Sequence, residues 1–511
     1  PDSTEAPAPE ATAAPAEAAQ IPALFTPGQY EATVTGHNGQ MVVSVTLGEN
    51  EIQAIEVVEH SESLALGTVD HVKEEIIARQ SLDVDMVSGA TISGAALLQA
   101  VKQAVEQGGG DVSALMIQAD ADETVYGDTS CDVVIVGSGS AGMAAAAEAG
   151  DLGLNTILVE QLGFLGGSSV RTGYLIGGGT KLQAAEGIDY PIEQIIESLK
   201  KPSATVTDEL YNEESAQLYG SMMGENIDWL YDMGVEFGVI KYDHQFRGPG
   251  AARLGPYLIT GLQKHLDEKG VEYRLNTRAT SLVQGENGTV TGVTVTAENG
   301  SEYTISAPTV ILATGGYFAN QEMVKKYNPA FEGYPTDVCK GADGSGMLMA
   351  EAAGGTLICM DQANYHGLAA MYNGASRSLQ TPLNNGAIVV NAEGKRFVNE
   401  KASYTEVAFS ILEQEGGYAY CVMDQTMMDF DSIKNDVGLS AITDMYVQAD
   451  TLEELAGLLG IDPEGLAATV EAYSQFVKNG VDEEFGKPAD YLNSDYLTPP
   501  YYGVKASPET H

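Results

Sequence analysis

Apolar and polar residues alternate through GQYEATVTGHNGQMVVSVTLGENEIQAIEVV, residues 28–58. A period of two sends alternate side chains to opposite faces of a strand. The stretch therefore predicts antiparallel strands, with Gly48-Glu49-Asn50 as a hairpin turn. A helical pattern follows near residues 68–79, then DVDMVSGATISG, then a second helix over Ala95–Glu106 that begins near Ser93. Together these predict a small α+β domain over residues 27–108. The polar run 109–129, introduced by Gly108-Gly109-Gly110, reads as a linker. The pattern changes at Cys131. CDVVIVGSGSAGMAAAAEAGDLGLNTILVE reads strand, Gly-rich turn, small-residue helix, strand. That is a βαβ unit, whose two strands must run parallel. Strand patterns recur at Val290–Ala297, Glu302–Ile305 and Thr309–Ala313, and helical ones at Leu452–Leu459 and Glu464–Val477. The expected architecture is α/β: a nucleotide-binding domain over residues 130–350 and an α+β capping domain over 351–495.

Charge narrows the partners. Asp and Glu number 72 against 25 Lys and Arg, a net charge of -47 over 511 residues. Phosphate would be repelled, so a nucleic-acid partner is excluded. Such acidity suits a solvent-exposed protein outside the cell, or one that docks on a basic redox partner. Residues 1–26 are mostly Pro, Ala and Glu. This composition cannot bury a core and predicts an extended tether. The expectation is an extracellular or cell-surface protein, lipid-anchored through that tether; a plain terminal extension is the alternative. No run of about 18 apolar residues is present. The four cysteines (Cys131, Cys339, Cys359 and Cys421) show no metal-ligand spacing, so no metal is expected.

The candidate chemistry begins at Gly137-Ser138-Gly139-Ser140-Ala141-Gly142. This G-x-G-x-x-G follows a strand and opens a helix, with Glu160 at the end of the next strand. Gly137 allows the tight turn, Gly139 lets backbone approach a pyrophosphate at the helix N-terminus, and Gly142 lets helix and strand pack closely. Glu160 is placed to accept from a ribose hydroxyl. Two further segments, Gly166-Gly167-Ser168 and Ala313-Thr314-Gly315-Gly316, stand after later strands. With AEGKRFVNE (392–400) and the closing PPYYGVKASPETH (499–511), they resemble the FAD-binding flavoprotein family of fumarate reductases, urocanate reductases and 3-ketosteroid dehydrogenases. The resemblance covers residues 131–511. It implies a Rossmann-type FAD domain, a mobile capping domain and an active site where they meet. It also implies that residues 496–511 start a segment returning to the FAD domain, completed beyond His511. No histidine or cysteine stands in an obvious position for ring attachment, so non-covalent FAD is expected.

The small domain carries Asp85-Met86-Val87-Ser88-Gly89-Ala90-Thr91. D-x-x-S-G-A-T resembles the flavinylation motif of FMN-binding domains. The resemblance implies FMN joined by a phosphodiester to the Thr91 hydroxyl by a flavin transferase, with Ser88, Gly89 and Ala90 around its phosphate. A helix-capping Ser/Thr cluster is the plainer alternative.

The resemblance also exposes departures. Aligned on NEKASYTE, the proton-delivering arginine of the fumarate reductases becomes Tyr404. By spacing from NNGAIVVN, their dicarboxylate-binding Thr-Glu pair becomes Leu379 and Gln380. A dicarboxylate without cationic partners would leave charges unpaired in a closed site. Fumarate is therefore not the expected substrate. A tyrosine here resembles the 3-ketosteroid dehydrogenases, and implies a general acid whose pKa is lowered and whose proton is positioned. Arg377, His366, Tyr501 and Tyr502 are further candidates, and His511 aligns with a substrate-contacting histidine. The expected reaction passes electrons from a membrane or soluble donor through FMN to FAD, then as hydride to the C=C of an enone or monoacid, steroid-like enones included. The rivals are a urocanate- or acrylate-type reductase and a non-catalytic flavin electron carrier.

Overall fold

The computed structural model describes residues 23–35, 40–60, 67–82, 84, 91–115, 126–199, 212–372, 375–434 and 445–511. In the small domain, strands Gly28–Thr35, Gln40–Leu47 and Ile52–His60 form one antiparallel sheet in that order. Met41, Val43, Val45 and Leu47 alternate along the middle strand and are all buried, as the period of two requires. Helix Thr91–Gln107 covers this face with Leu97, Ala100, Val101 and Ala104, spaced by three and four. It begins at Thr91, two residues before the expected start. Part of the expected linker folds back: Leu82 donates its N–H to Leu115 O at 2.7 Å. Arg79, closing helix Gly67–Arg79, reaches the larger unit through Glu298 at 3.0 Å.

The larger unit is built on a parallel sheet ordered Glu272–Arg274, Thr156–Val159, Val133–Val136, Thr309–Leu312. All four residues of Val133–Val136 and of Thr156–Val159 are buried, the signature of strands covered on both faces. Helix Ser140–Asp151 packs on them through Gly142, Met143, Ala146 and Ala147. The expected βαβ unit is thus present. A second sheet runs Arg278–Gln284, Val290–Thr296, Glu302–Ser306, Thr129–Ser130.

The capping unit is organised around strand Tyr501–Thr510. It pairs with Ala419–Asp424 on one side and, on the other, with Val447–Ala449 along residues 501–503 and with Tyr365–Tyr372 along residues 507–510. This corrects the reading of residues 496–511 as part of the FAD domain. Ladder bonds on both sides, with Val504 and Ala506 buried beneath, make it a central strand of the cap. Among the described residues, no helix is long and apolar enough to cross a membrane.

Candidate active site

The strand–turn–helix at 133–151 forms one wall of a cleft of about 390 Å³. It is lined by Gly137, Gly139, Glu160, Ser168, Gly315 and His511, among others. Gly137 has φ +98°, which L side chains rarely adopt. A Cβ on Gly142 would lie 1.9 Å from Gly137 O. One on Gly139 would meet nothing nearer than Ser169 Oγ at 3.7 Å. Gly139 caps the helix without a side-chain bond; Ser140 N–H donates to Ser169 Oγ at 3.0 Å, and the remaining first-turn N–H groups, beginning with Ala141 on the cleft lining, suit a pyrophosphate. The residues present therefore fit an FAD. Ser168, Ala313, Thr314, Gly316, Ser140, Ala141 and Gly167 also line the cleft, while Gly166, at φ +110°, sets the turn before them.

Glu160 also organises the loop. It accepts from Ser138 N–H at 2.9 Å and Ser138 Oγ at 2.6 Å, and from Leu162 N–H at 2.9 Å. Cys339, not expected near the cofactor, lines the same cleft. Because no flexible side chain relieves the 1.9 Å approach, Gly142→Ala is expected to abolish flavin retention. The check is flavin absorbance per mole of purified protein; a stoichiometric flavin content in the variant would contradict it.

At the mouth, the His511 side chain meets two residues from other elements, Asp337 and His366. Its Nδ1 lies 2.7 Å from Asp337 Oδ1. Asp337 also takes Arg171 at 3.6 Å and lies 3.8 Å from His366 Nδ1. Burial acts to raise the Asp337 carboxyl. The His511 hydrogen bond and the nearby Arg171 and His366 charges outweigh it and hold the carboxyl below its usual range. The same bond, working against burial, raises His511 above the ordinary imidazole value. Donor atoms of Asp337, His366 and His511 lie within 4.8 Å of one another; ion pairing and hydrogen bonding account for this cluster. His366 stacks on His511 with centroids 4.7 Å apart, and its Nδ1 is 2.9 Å from Glu509 Oε1. Ser376 Oγ donates to the other Glu509 oxygen.

Tyr404 completes the group. It opens helix Tyr404–Leu412, capped by Ser403, whose Oγ accepts from Glu406 N–H at 3.2 Å. The helix sits tightly on strand Tyr365–Tyr372: a Cβ on Gly367 would be 2.8 Å from Val407. This close approach sets the Tyr404 ring edge-on to His366 at 5.6 Å between centroids. The expected lowering of the Tyr404 pKa is not found. The residue as a whole is 45% exposed, but burial of part of it, with a smaller contribution from Tyr174, pushes the pKa up, so the phenol keeps its proton at neutral pH.

The KRFVNE segment, which leads into this helix, is held by a buried ion-pair network. Arg396 makes paired 2.9 Å bonds to both oxygens of Glu400. It also bonds both oxygens of Asp482, at 2.8 and 3.2 Å. Lys487 lies 3.5 Å from Glu400. All four side chains are at most 1% exposed.

Other candidates fall elsewhere. Tyr502 donates to Gln425 Oε1 at 2.6 Å. It is nine residues along one strand from His511, roughly 30 Å at about 3.3 Å per residue. Tyr502 therefore leaves the site, and so does Tyr501, which donates to Tyr496 O. Leu379 is buried in the cap core, and Gln380 donates to Asn384. Arg377 pairs in register with Ala370, one residue beyond Ser376. The flavinylation segment 85–90 lies outside the described residues, and Thr91 opens its helix. Sequence reasoning did not single out Asp337, Glu509, Ser376 or Arg171. One signal was available for Glu509: it stands two residues before His511, on the same face of a strand.

Comparison with known proteins places this geometry. The FAD binding domain family model matches residues 132–511 and the FMN-binding domain model residues 36–106. The chain is 32% identical over 507 residues to the urocanate reductase of Eggerthella lenta, covering 94% of this chain and 81% of that protein. It is 29% identical to the NADH:fumarate oxidoreductase of Klebsiella pneumoniae over 96% of this chain, and it spans about half, 52%, of that relative's length. The open conformation of a flavocytochrome c3 fumarate reductase superposes with a TM-score of 0.67 at 28% identity, over 78% of this chain and 72% of that one. The chain therefore belongs to the FAD-binding flavoprotein family that includes the fumarate and urocanate reductases and the 3-oxosteroid dehydrogenases, and carries an FMN-binding domain ahead of its FAD-binding domain.

Proposed function

We propose that the protein is an ene-reductase that saturates the C=C bond of an α,β-unsaturated ketone or monoacid, with Tyr404 as the proton donor. The observation that carries this reading is Tyr404 itself. It is a neutral phenol at the head of a rigidly packed helix, edge-on to His366 beside the His511–Asp337 pair. Bound FAD would supply the hydride to the β-carbon. The chain's residues do the rest. His511 and His366, each tied to a carboxylate, present ring N–H groups that polarise the substrate carbonyl as charge develops on its oxygen. Tyr404 gives its proton to the α-carbon. With a neutral phenol at Tyr404, where the resemblance to the fumarate reductases implies an arginine, the site has one cation fewer for a second carboxylate, which supports a substrate with one carboxylate or none.

Electrons enter through FMN held covalently on Thr91 by a flavin transferase, and FAD is held without a covalent bond. The contact of Arg79 with Glu298 supports a route between the two domains. The net charge of -47 supports an extracellular or cell-surface setting, with a membrane or soluble donor. Intact mass of protein co-expressed with a flavin transferase is expected to rise by one FMN moiety, and Thr91→Ala to lose that gain. An unchanged wild-type mass contradicts the attachment. For the reaction itself, anaerobic turnover of an enone or monoacid in D₂O is expected to place one solvent deuterium on the α-carbon. Because the reduced flavin's transferable hydrogen exchanges with solvent, label on the β-carbon is expected as well; product without deuterium on the α-carbon contradicts the assignment.

A further inference from the structure

Glu509 is the most deeply buried ionisable side chain at the mouth of the site, 1% exposed. A buried carboxylate is costly unless paired and hydrogen-bonded, and a glutamine or an apolar residue would fill a structural position at less cost. Its two oxygens are committed to two partners, His366 Nδ1 at 2.9 Å and Ser376 Oγ. With Nδ1–H directed at Glu509, Nε2 is the ring nitrogen left to take up a proton from water and pass it on, the ring being an imidazolium while it holds both. The ring is pinned by the stack on His511, by Asp337 at 3.8 Å and by the edge contact with Tyr404. It retains 22% side-chain exposure, so water reaches it. Tyr404 is 45% exposed, and the part of it that is covered holds its hydroxyl above the ordinary value. Water can reach it, but His366, edge-on to its ring, is the titratable group already at hand.

We propose that Glu509 is a positioning residue for proton delivery: it orients His366 so that His366 Nε2 returns a proton to Tyr404 after each reduction. The proposal rests on Tyr404 being the acid. In the step, the Tyr404 O–H bond breaks as the α-carbon C–H bond forms. The His366 Nε2–H bond then breaks as Tyr404 O–H reforms, directly or through one water. Water replaces the Nε2 proton, and Nδ1–H stays with Glu509 throughout. The net proton comes from water, and the hydride comes from reduced flavin.

The test uses the dithionite-reduced holoprotein and three probes, but-3-en-2-one, acrylate and cinnamate, followed with whichever the wild type reduces fastest. Glu509→Gln keeps the size of the side chain. It is expected to lower kcat about 10- to 100-fold, with KM and flavin content little changed, and to raise the solvent deuterium isotope effect on kcat. Glu509→Asp is expected to recover part of the loss. In a Tyr404→Phe background, Glu509→Gln is expected to add almost nothing, because the two act in one step. If Tyr404→Phe turns over like wild type, or no probe is reduced by the wild type, the functional reading fails and the relay with it. If Tyr404→Phe is impaired but Glu509→Gln keeps wild-type kcat and isotope effect, only the relay is overturned. A Glu509→Gln variant that loses activity through KM alone, or by losing flavin, also overturns it.

Discussion

Replacing Tyr404 by Phe is expected to lower turnover by roughly 100- to 10,000-fold while the flavin stays bound, the usual contribution of a positioned general acid. The substitution removes one hydroxyl and keeps the ring. The ring's edge contact with His366 and the Ser403 cap of the helix survive, so folding and cofactor binding are expected to be unchanged. Although Tyr404 is 45% exposed, partial burial raises its hydroxyl above the ordinary phenol value, so the acid is loaded at neutral pH before hydride arrives. Steady-state reduction with a pre-reduced artificial donor measures the effect. Near wild-type turnover in Tyr404→Phe would reject the role.

Arg396→Met is expected to destabilise the capping unit by about 3–5 kcal/mol, the range for removing one partner of a buried ion pair. Arg396 is 1% exposed and is held by Glu400 and Asp482, with the rings of Tyr473 and Phe485 about it at 5.0 and 5.1 Å. Methionine keeps much of the packing but leaves two fully buried carboxylates with Lys487 as the neighbouring cation. The acid limb of stability follows from the same network. Burial acts to raise the Asp482 carboxyl, but the Arg396 hydrogen bond and backbone N–H bonds lower it to about 2. A carboxyl whose folded pKa lies below its unfolded value, about 3.9, adds stability above that value and loses it as pH falls toward the folded one. The wild type is thus expected to lose this contribution between about pH 5 and 2, and Arg396→Met to begin acid unfolding at higher pH. Denaturant titration as a function of pH measures both. A destabilisation under about 1 kcal/mol would contradict the reading of this network as a support of the capping unit.

What was legible in the sequence was local. Alternation over 28–58 marked the small sheet, and the short apolar runs at 133–136 and 156–159 marked the parallel strands. The glycine spacing at 137–142 marked the turn, because backbone geometry there leaves glycine few substitutes. The family motif at 392–400 fixed the register that brought Tyr404 forward. What was not legible depends on distant pairing. His366 and Glu509 are 143 residues apart, and Asp337 and His511 are 174 apart; nothing in either local segment announces its partner. The placement of residues 501–510 failed for the same reason. Their strand pattern was readable, but the sheet they join is decided by neighbours at 365–372 and 419–424. Tyr502 and His511 are close in sequence, but an extended strand carries its ends far apart.

The central claim is that a neutral phenol has replaced a cationic acid, and that the site takes alkenes with at most one carboxylate. Its most direct measurement is anaerobic stopped-flow reoxidation of the dithionite-reduced protein by fumarate and, in parallel, by enones and monocarboxylic acrylates at equal concentration. The account predicts that at least one enone or monoacid reoxidises the flavin at least about 100-fold faster than fumarate, the lower end of a general acid's contribution. Fumarate reoxidising the flavin as fast as the best of these alkenes would contradict it.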